Sequence, residues 1–286
     1  MRYMFMRFPE GKFKALTLSY DDGVTADKRL SDIITEYGIK CTFNINSCNI
    51  TEPKKGKLTA EEIREYFINR GHEIANHGQR HIAPGIASYP LAIADILNSR
   101  IELEKTFDMI VRGMAYPDSG IVRLHSDRDL GEIKSFVKNL GIAYSRTLGS
   151  DNNNFMMPND WLEWMPTAHH NNKNLMVWLE EFLSFKESEL YLTRRYPRLF
   201  YLWGHSYEYD NNNNWEVIEN FCKMASGKED IWYATNIEIY EYAKAYDRLI
   251  SSADGNKLYN PSLIDVWVHI DGNTYCIKSG ETLVLE

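Results

Sequence analysis

Ala15-Leu16-Thr17-Leu18-Ser19-Tyr20-Asp21-Asp22-Gly23 is an apolar, β-prone run that stops abruptly at two acids and a glycine. Lys14, Leu16 and Leu18 alternate with Ala15, Thr17 and Ser19, which predicts a first strand over 13–20. Gly23 permits the turn after the acids. Downstream, residues 28–37 read as a helix, with Leu30, Ile33 and Ile34 on one face and Gly38 as its stop. A second strand is expected over 41–46. Thr59, with Glu62 three residues on, forms a capping box for a helix that ends at Gly71. A strand over 72–76 follows. Strand, helix, strand, helix, strand implies parallel strands with crossover helices.

The same grammar continues. Helices are expected over 90–107, 130–140, 175–191, 215–225 and 236–250, and strands over 109–116, 142–147, 161–165, 198–203 and 231–235. Residues 115–120, 151–154 and 209–214 read as a turn or loops. Seven or eight strands alternating with helices predict an α/β fold, a (β/α) barrel that is distorted or incomplete, over residues 1–250. Residues 251–286 differ: two β-like pieces flank Asp271-Gly272-Asn273, a hairpin signal, and predict a small β extension packed on the barrel.

The 286 residues are 44% hydrophobic and 25% charged, which suits a globular chain with a large core. Net charge is −8 and no basic run is present, which argues against nucleic acid as a partner. Aromatic residues reach 13%; such faces suit sugars, but core packing is the stronger reading of them. Cys41, Cys48, Cys222 and Cys276 lack CxxC spacing and do not read as a disulfide scaffold, and Cys41 falls in an expected strand as a buried thiol. No run of ~18 apolar residues exists for a membrane span. Residues 1–14 lack the apolar core of a signal peptide, so the chain as given is expected to be cytoplasmic, or extracytoplasmic if a signal has been removed. Oligomeric state is not legible.

Chemistry in such barrels gathers at the C-terminal ends of the strands. Asp21, Asp22, His77, Tyr116, Arg146 and His205 all fall at or just after expected strand ends, which argues for one shared site. His77 and His81 lie in Gly71-His72-Glu73-Ile74-Ala75-Asn76-His77-Gly78-Gln79-Arg80-His81 at a spacing of i, i+4. On one turn of helix that spacing puts two imidazoles on the same face, where they can chelate a metal such as zinc. A carboxylate must complete the site, and Asp21 and Asp22 are the candidates. Adjacent strand residues point to opposite faces, so the two acids are poorly placed as a glycosidase pair and suit different duties. Taken alone, Asp-Asp-Gly reads as a solvated turn. His72 reads as a core histidine. His125, His169, His170 and His269 fall in loops or the tail and are expected to be exposed, although His169-His170 is near enough to line a cleft.

Ser19-Tyr20-Asp21-Asp22-Gly23 and His77-Gly78-Gln79-Arg80-His81 resemble the T-F-D-D-G-like and H-x-x-x-H motifs of the polysaccharide deacetylases, carbohydrate esterase family four with its NodB-homology domain. The resemblance extends over most of residues 13–250. It implies that Asp21 is the catalytic base and that Asp22, His77 and His81 hold a divalent metal, most often Zn2+, with Co2+, Ni2+ or Mn2+ as alternatives. Leu202-Trp203-Gly204-His205 resembles the family's L-x-H motif with one extra residue, which makes His205 the general acid; an imidazole titrates near neutrality and suits that task. The R-x-P-Y motif is not matched: Ala115-Tyr116-Pro117-Asp118 stands there, with Ala115 in place of the arginine that orients the base. Arg146, at the end of the next strand, is expected to replace it, on Asp21 directly or through Asp160; Arg112 lies deeper. A backbone N–H near Asp118 remains available to an oxyanion. Asp160-Trp161 is the nearest counterpart of the fourth motif, and Tyr116, Asp118, Trp161 and Trp203 are expected at the substrate. The implied reaction is metal-dependent removal of an acetyl group, N-linked more readily than O-linked, from a carbohydrate or acetylated amino sugar. The alternatives are a barrel metallohydrolase of a non-sugar amide and a glycan-binding pseudoenzyme.

Overall fold

The computed structural model describes residues 3–52, 54–118, 121–148 and 155–285. Its strands are β1 (Met4–Arg7), β2 (Lys14–Asp21), β3 (Cys41–Ile45), β4 (Glu73–Asn76), β5 (Gly113–Ala115), β6 (Tyr144–Arg146), β7 (Ala168–His169), β8 (Arg198–Gly204) and β9 (Ile231–Tyr233), followed by β10 (Ile250–Ser251), β11 (Lys257–Tyr259), β12 (Val266–Ile270), β13 (Asn273–Ile277) and β14 (Thr282–Val284). Strands β2 to β8 form one parallel sheet in the order β6-β5-β4-β3-β2-β8-β7, and β9 pairs with the start of β2. The sheet curls into a distorted (β/α) barrel. Among the described residues its two ends meet at one isolated bridge, Arg146 to Trp164, where Trp164 N donates to Ser145 O at 3.0 Å and Thr147 N to Trp164 O at 3.1 Å.

Strand parity sets the two layers. On β2, Leu16, Leu18 and Tyr20 pack outward in one cluster with the helix residues Leu30, Ile34, Ile218 and Phe221. Ala15, Thr17, Ser19 and Asp21 face the barrel interior, where Thr17 bonds Asn236 at 2.8 Å and Ser19 accepts from Asn44 at 2.8 Å. Parallel strands covered on both sides are buried throughout, and all eight residues of β2 are. The interior is polar because the same parity on β3, β4, β6 and β8 carries Thr42 and Asn44, Glu73, Tyr144 and Arg146, and Tyr201. Extended past the strand ends, this parity aims side chains into the barrel mouth.

Several elements differ from expectation. Residues 161–165 hold a 3-10 turn, Trp161–Glu163, because the Asp160 carboxylate caps Leu162 N at 2.9 Å. The helix expected over 175–191 ends at Ser184, beyond which Glu187 turns to pair with Arg7. Of the residues expected as a loop at 209–214, 209–212 belong to the helix Tyr207–Asn212, which buries Tyr209 against Tyr20 and stops at Asn213, φ 50°. β7, only two residues long, has no periodic signature. Residues 151–154, expected as a loop, lie outside the described residues.

The hairpin β12–β13 turns at Asp271 and Gly272, both at positive φ. β1, which the sequence reading assigned to the barrel portion, pairs antiparallel with β12. β10, β11 and β14 form a further small sheet. Among the described residues no helix is long and apolar enough to cross a membrane.

Candidate active site

A cleft of about 360 Å3 opens at the C-terminal ends of the barrel strands, lined by Asp21, Asp22, His77, His81, Tyr116, Asp118, Leu148, Trp203, His205 and Tyr207. A larger one, about 570 Å3, lies elsewhere, between β1 and the last long helix, and its lining includes Met157, Trp161, Tyr196 and Tyr246. The candidate metal-ligating side chains Asp22, His77 and His81 converge on the smaller cleft.

Strict alternation would send Asp22 away from Asp21. Asp22 escapes it by taking a left-handed conformation, φ 82°, followed by Gly23 at φ 58°. Its backbone is pinned there, N donating to Asn44 O at 2.9 Å and O accepting from Lys57 Nζ at 3.1 Å. The carboxylates of both acids therefore reach His77: Nε2 is 3.8 Å from Asp21 Oδ2 and 3.9 Å from Asp22 Oδ1.

His77 and His81 do not converge through a helical turn. They lie in a loop after β4, with Gly78 at φ 75° and His81 at φ 62°, and their rings meet edge to face at 4.7 Å. His81 Nε2 stands 3.8 Å from Asp22 Oδ1. His77 Nδ1 donates to Ala115 O at 2.9 Å, which leaves the lone pair on Nε2. That Nε2 is buried and has no hydrogen-bond partner. A buried polar atom without a partner is costly, and an acceptor lone pair facing a carboxylate and a second imidazole is what a divalent cation satisfies. The candidate ligand atoms of Asp22, His77 and His81 lie within 4.8 Å of one another, so these residues fit a metal ion.

Asp21 is buried and bonded on both oxygens: Asn44 Nδ2 donates to Oδ1 at 2.8 Å, and Arg146 Nη2 donates to Oδ2. Burial alone would raise its pKa; Arg146, His77, His205 and the Asn44 bond outweigh that and hold the carboxyl at about 2. The Arg146 guanidinium is itself buried and stacks over the Trp203 ring at 4.3 Å. Asp160 takes Lys134 at 2.7 Å and has no part in this pair, and Arg112 pairs with Glu241.

His205 Nε2 lies 3.8 Å from Asp21 Oδ2, on the cleft side. Its Nδ1 donates to Glu208 Oε1 at 3.0 Å. Burial works against the imidazolium, but the Glu208 bond and the charges of Asp21 and Asp22 prevail and raise its pKa. Glu208 Oε2 in turn accepts from His170 Nε2 at 3.0 Å and Asn171 Nδ2 at 2.5 Å, with His169 Nε2 at 3.6 Å. The expectation that His169, His170 and His269 are exposed fails: His170 is buried and stacks on Tyr209 at 4.2 Å, His269 is buried in β12, and His169 is half-buried. Gly204 makes room for it: a Cβ there would stand 2.0 Å from the His170 ring. Glu208 escaped the sequence reading. Its signal was the i, i+3 spacing from His205 across a helix start.

Of the residues expected at the substrate, Trp203 and Asp118 line the cleft. Asp118 is the most exposed of the set, and its Oδ2 lies 3.6 Å from His81 Nδ1. Tyr116 lines the cleft wall while its hydroxyl donates to Leu162 O at 3.0 Å. Trp161 is not there; it packs on Trp164 at 4.9 Å and Tyr240 at 5.2 Å beside the larger cleft.

Residues 9–131 match the family described as polysaccharide deacetylase. Among solved structures, the chain is similar to a protein assigned as a polysaccharide deacetylase from Mycobacterium smegmatis, at 17% identity and TM-score 0.57 over 84% of this chain and 93% of that one. It is similar to PuuE allantoinase at 13% identity and TM-score 0.58, over 82% and 91%. A protein from Pseudomonas aeruginosa PAO1, also assigned as a polysaccharide deacetylase, matches at 13% identity and TM-score 0.55, over 80% and 89%. No curated protein matches the chain in sequence.

Proposed function

From the polysaccharide deacetylase match over residues 9–131 and the barrel shared with such proteins, we propose that this chain is a metal-dependent hydrolase that removes acetyl groups, N-linked first, from a carbohydrate. The observation that carries the proposal is the buried, unpartnered Nε2 of His77, facing Asp22 and His81 beside a second, arginine-held carboxylate. Asp22, His77 and His81 would hold a divalent cation, zinc by the chemistry of two imidazoles and a carboxylate. When bound, it supplies Lewis acidity to the acetyl carbonyl and to the attacking water.

The chain's own residues do the rest. Asp21, kept ionised and fixed by Arg146 and Asn44, accepts the proton of the attacking water. Pro117 has no N–H and that of Tyr116 already donates to Arg146 O at 3.0 Å, so among the described residues of this turn the N–H of Asp118 is the donor offered to the oxyanion. His205, whose imidazolium form the Glu208 bond favours, delivers a proton to the departing amine. Trp203 and Tyr207 present aromatic faces on which a sugar ring can lie.

The test is acetate release from N-acetylated chitooligosaccharides, with O-acetylated xylooligosaccharides and a panel of small amides, allantoin included, in parallel. Release from the amino sugar, abolished by a chelator and restored by zinc, is expected. Asp21→Asn should keep its metal and lose ~10²–10⁴-fold in turnover. Hydrolysis of a small amide alone would replace the carbohydrate reading. Tight metal binding with no turnover on any substrate would favour a glycan-binding pseudoenzyme.

A further inference from the structure

The loop that delivers His81 is gripped by a residue outside the metal and acid–base set. Asp95 sits on the buried face of the helix Tyr89–Phe107 and is 3% exposed. Its Oδ1 accepts from Arg80 N at 2.7 Å and its Oδ2 from Ile82 N at 3.3 Å, so one carboxylate brackets His81 on both sides in sequence. Its backbone carbonyl accepts from Gln79 N at 3.0 Å. His81 between these contacts has φ 62°, a conformation an L side chain keeps only where its surroundings impose it.

The fit is tight. Gly78, at φ 75°, lies so close that a Cβ there would stand 2.2 Å from Asp95 Oδ2. The same helix supports the rest of the loop: Asn76 Oδ1 accepts from Gly78 N at 2.7 Å while its Nδ2 donates to Ile96 O at 2.9 Å, and Gln79 Nε2 donates to Glu102 at 2.7 Å. Among the described residues no lysine or arginine pairs with the Asp95 carboxylate; it is satisfied by backbone N–H groups of the loop. A carboxylate buried on those terms serves the conformation of what it holds.

We propose that Asp95 is a positioning residue of the metal site, fixing His81 in its left-handed conformation so that Nε2 faces Asp22 and His77. The proposal rests on the reading that Asp22, His77 and His81 bind a metal. Zinc affinity measured by competition with a chromophoric chelator, on full-length protein, tests it in a double-mutant cycle of Asp95→Asn and His81→Ala. Asparagine keeps the size but turns an N–H2 toward a backbone N–H. Asp95→Asn should weaken zinc binding ~10–100-fold, the range for groups that orient metal ligands. The same substitution should cost nothing further once His81 is alanine. Should Asp95→Asn fail to fold, Gly78→Ala, which pushes on the same carboxylate, takes its place. Unchanged affinity, or equal weakening with and without His81, would overturn the proposal and leave Asp95 a general stabiliser. A wild-type chain that binds no zinc would overturn the metal reading and this inference with it.

Discussion

Asp22 and His205 each depend on a neighbour that strand alternation does not provide. Asp22 joins Asp21 in the cleft by abandoning the β conformation at φ 82°, and His205 is held by Glu208 from the helix that follows it. A general acid must be protonated, so its activity disappears as pH rises through its pKa. With His205 as the proposed general acid, Glu208, by raising its pKa, would extend activity to higher pH. Glu208→Gln should therefore move the alkaline limb of the kcat/KM profile to lower pH, and a profile that stays in place with only a lower plateau would contradict this role. His205→Ala should cost ~10²–10⁴-fold in turnover at all pH values. The acids, His77, His205 and Arg146 stand out in the sequence because each lies at or just past an apolar run, and His81 because of its i, i+4 spacing from His77. Glu208 has only its i, i+3 spacing from His205 to mark it, and Asp95 has no local mark, since its meaning lies in what it grips across the fold.

At the scale of elements, the long strands were readable because hydrophobic and polar residues take turns over five or more positions in β2 and β3, and because β8 is an unbroken apolar run from Leu199 to Trp203. β5, β6 and β7 have two or three residues each and are held by neighbours, so their limits could not be read locally. The polar parity has an energetic consequence at β4. Glu73 is buried inside the barrel, accepting from Tyr144 at 2.8 Å, Thr42 at 2.8 Å and Ile237 N at 2.9 Å. Burial outweighs these bonds and pushes its pKa from 4.5 up to about 7. A raised pKa means the folded chain holds the proton more tightly than the unfolded chain. The stabilisation is complete below about 4.5 and is lost as pH rises to about 7, to the extent of about 3 kcal/mol. Asp27, also buried with its pKa at about 7, acts with the same sign. The urea midpoint should fall between pH 5 and pH 8, and Glu73→Gln should fall less steeply over the same interval. Parallel curves for the two proteins would show that Glu73 stays ionised in the fold.

For the whole molecule, the order of elements announced a (β/α) barrel, and the hairpin at Asp271-Gly272 announced the C-terminal β extension. The closure did not show, because among the described residues it rests on an isolated bridge between Arg146 and Trp164, where the strand expected over 161–165 gives way to a 3-10 turn. Nor did the pairing of Met4–Arg7 with Val266–Ile270, a contact between the two ends of the chain. Closure is what brings β6 round to β2 and sets Arg146 on Asp21, so fold and site stand together. The central claim is that this mouth holds one divalent cation on Asp22, His77 and His81. Its most direct test is a crystal of zinc-loaded protein measured on both sides of the zinc absorption edge. The account predicts one strong anomalous peak bounded by Asp22, His77 Nε2 and His81 Nε2 at ~2.0–2.2 Å. No peak there, or a peak at His169, His170 and Glu208 instead, would contradict it.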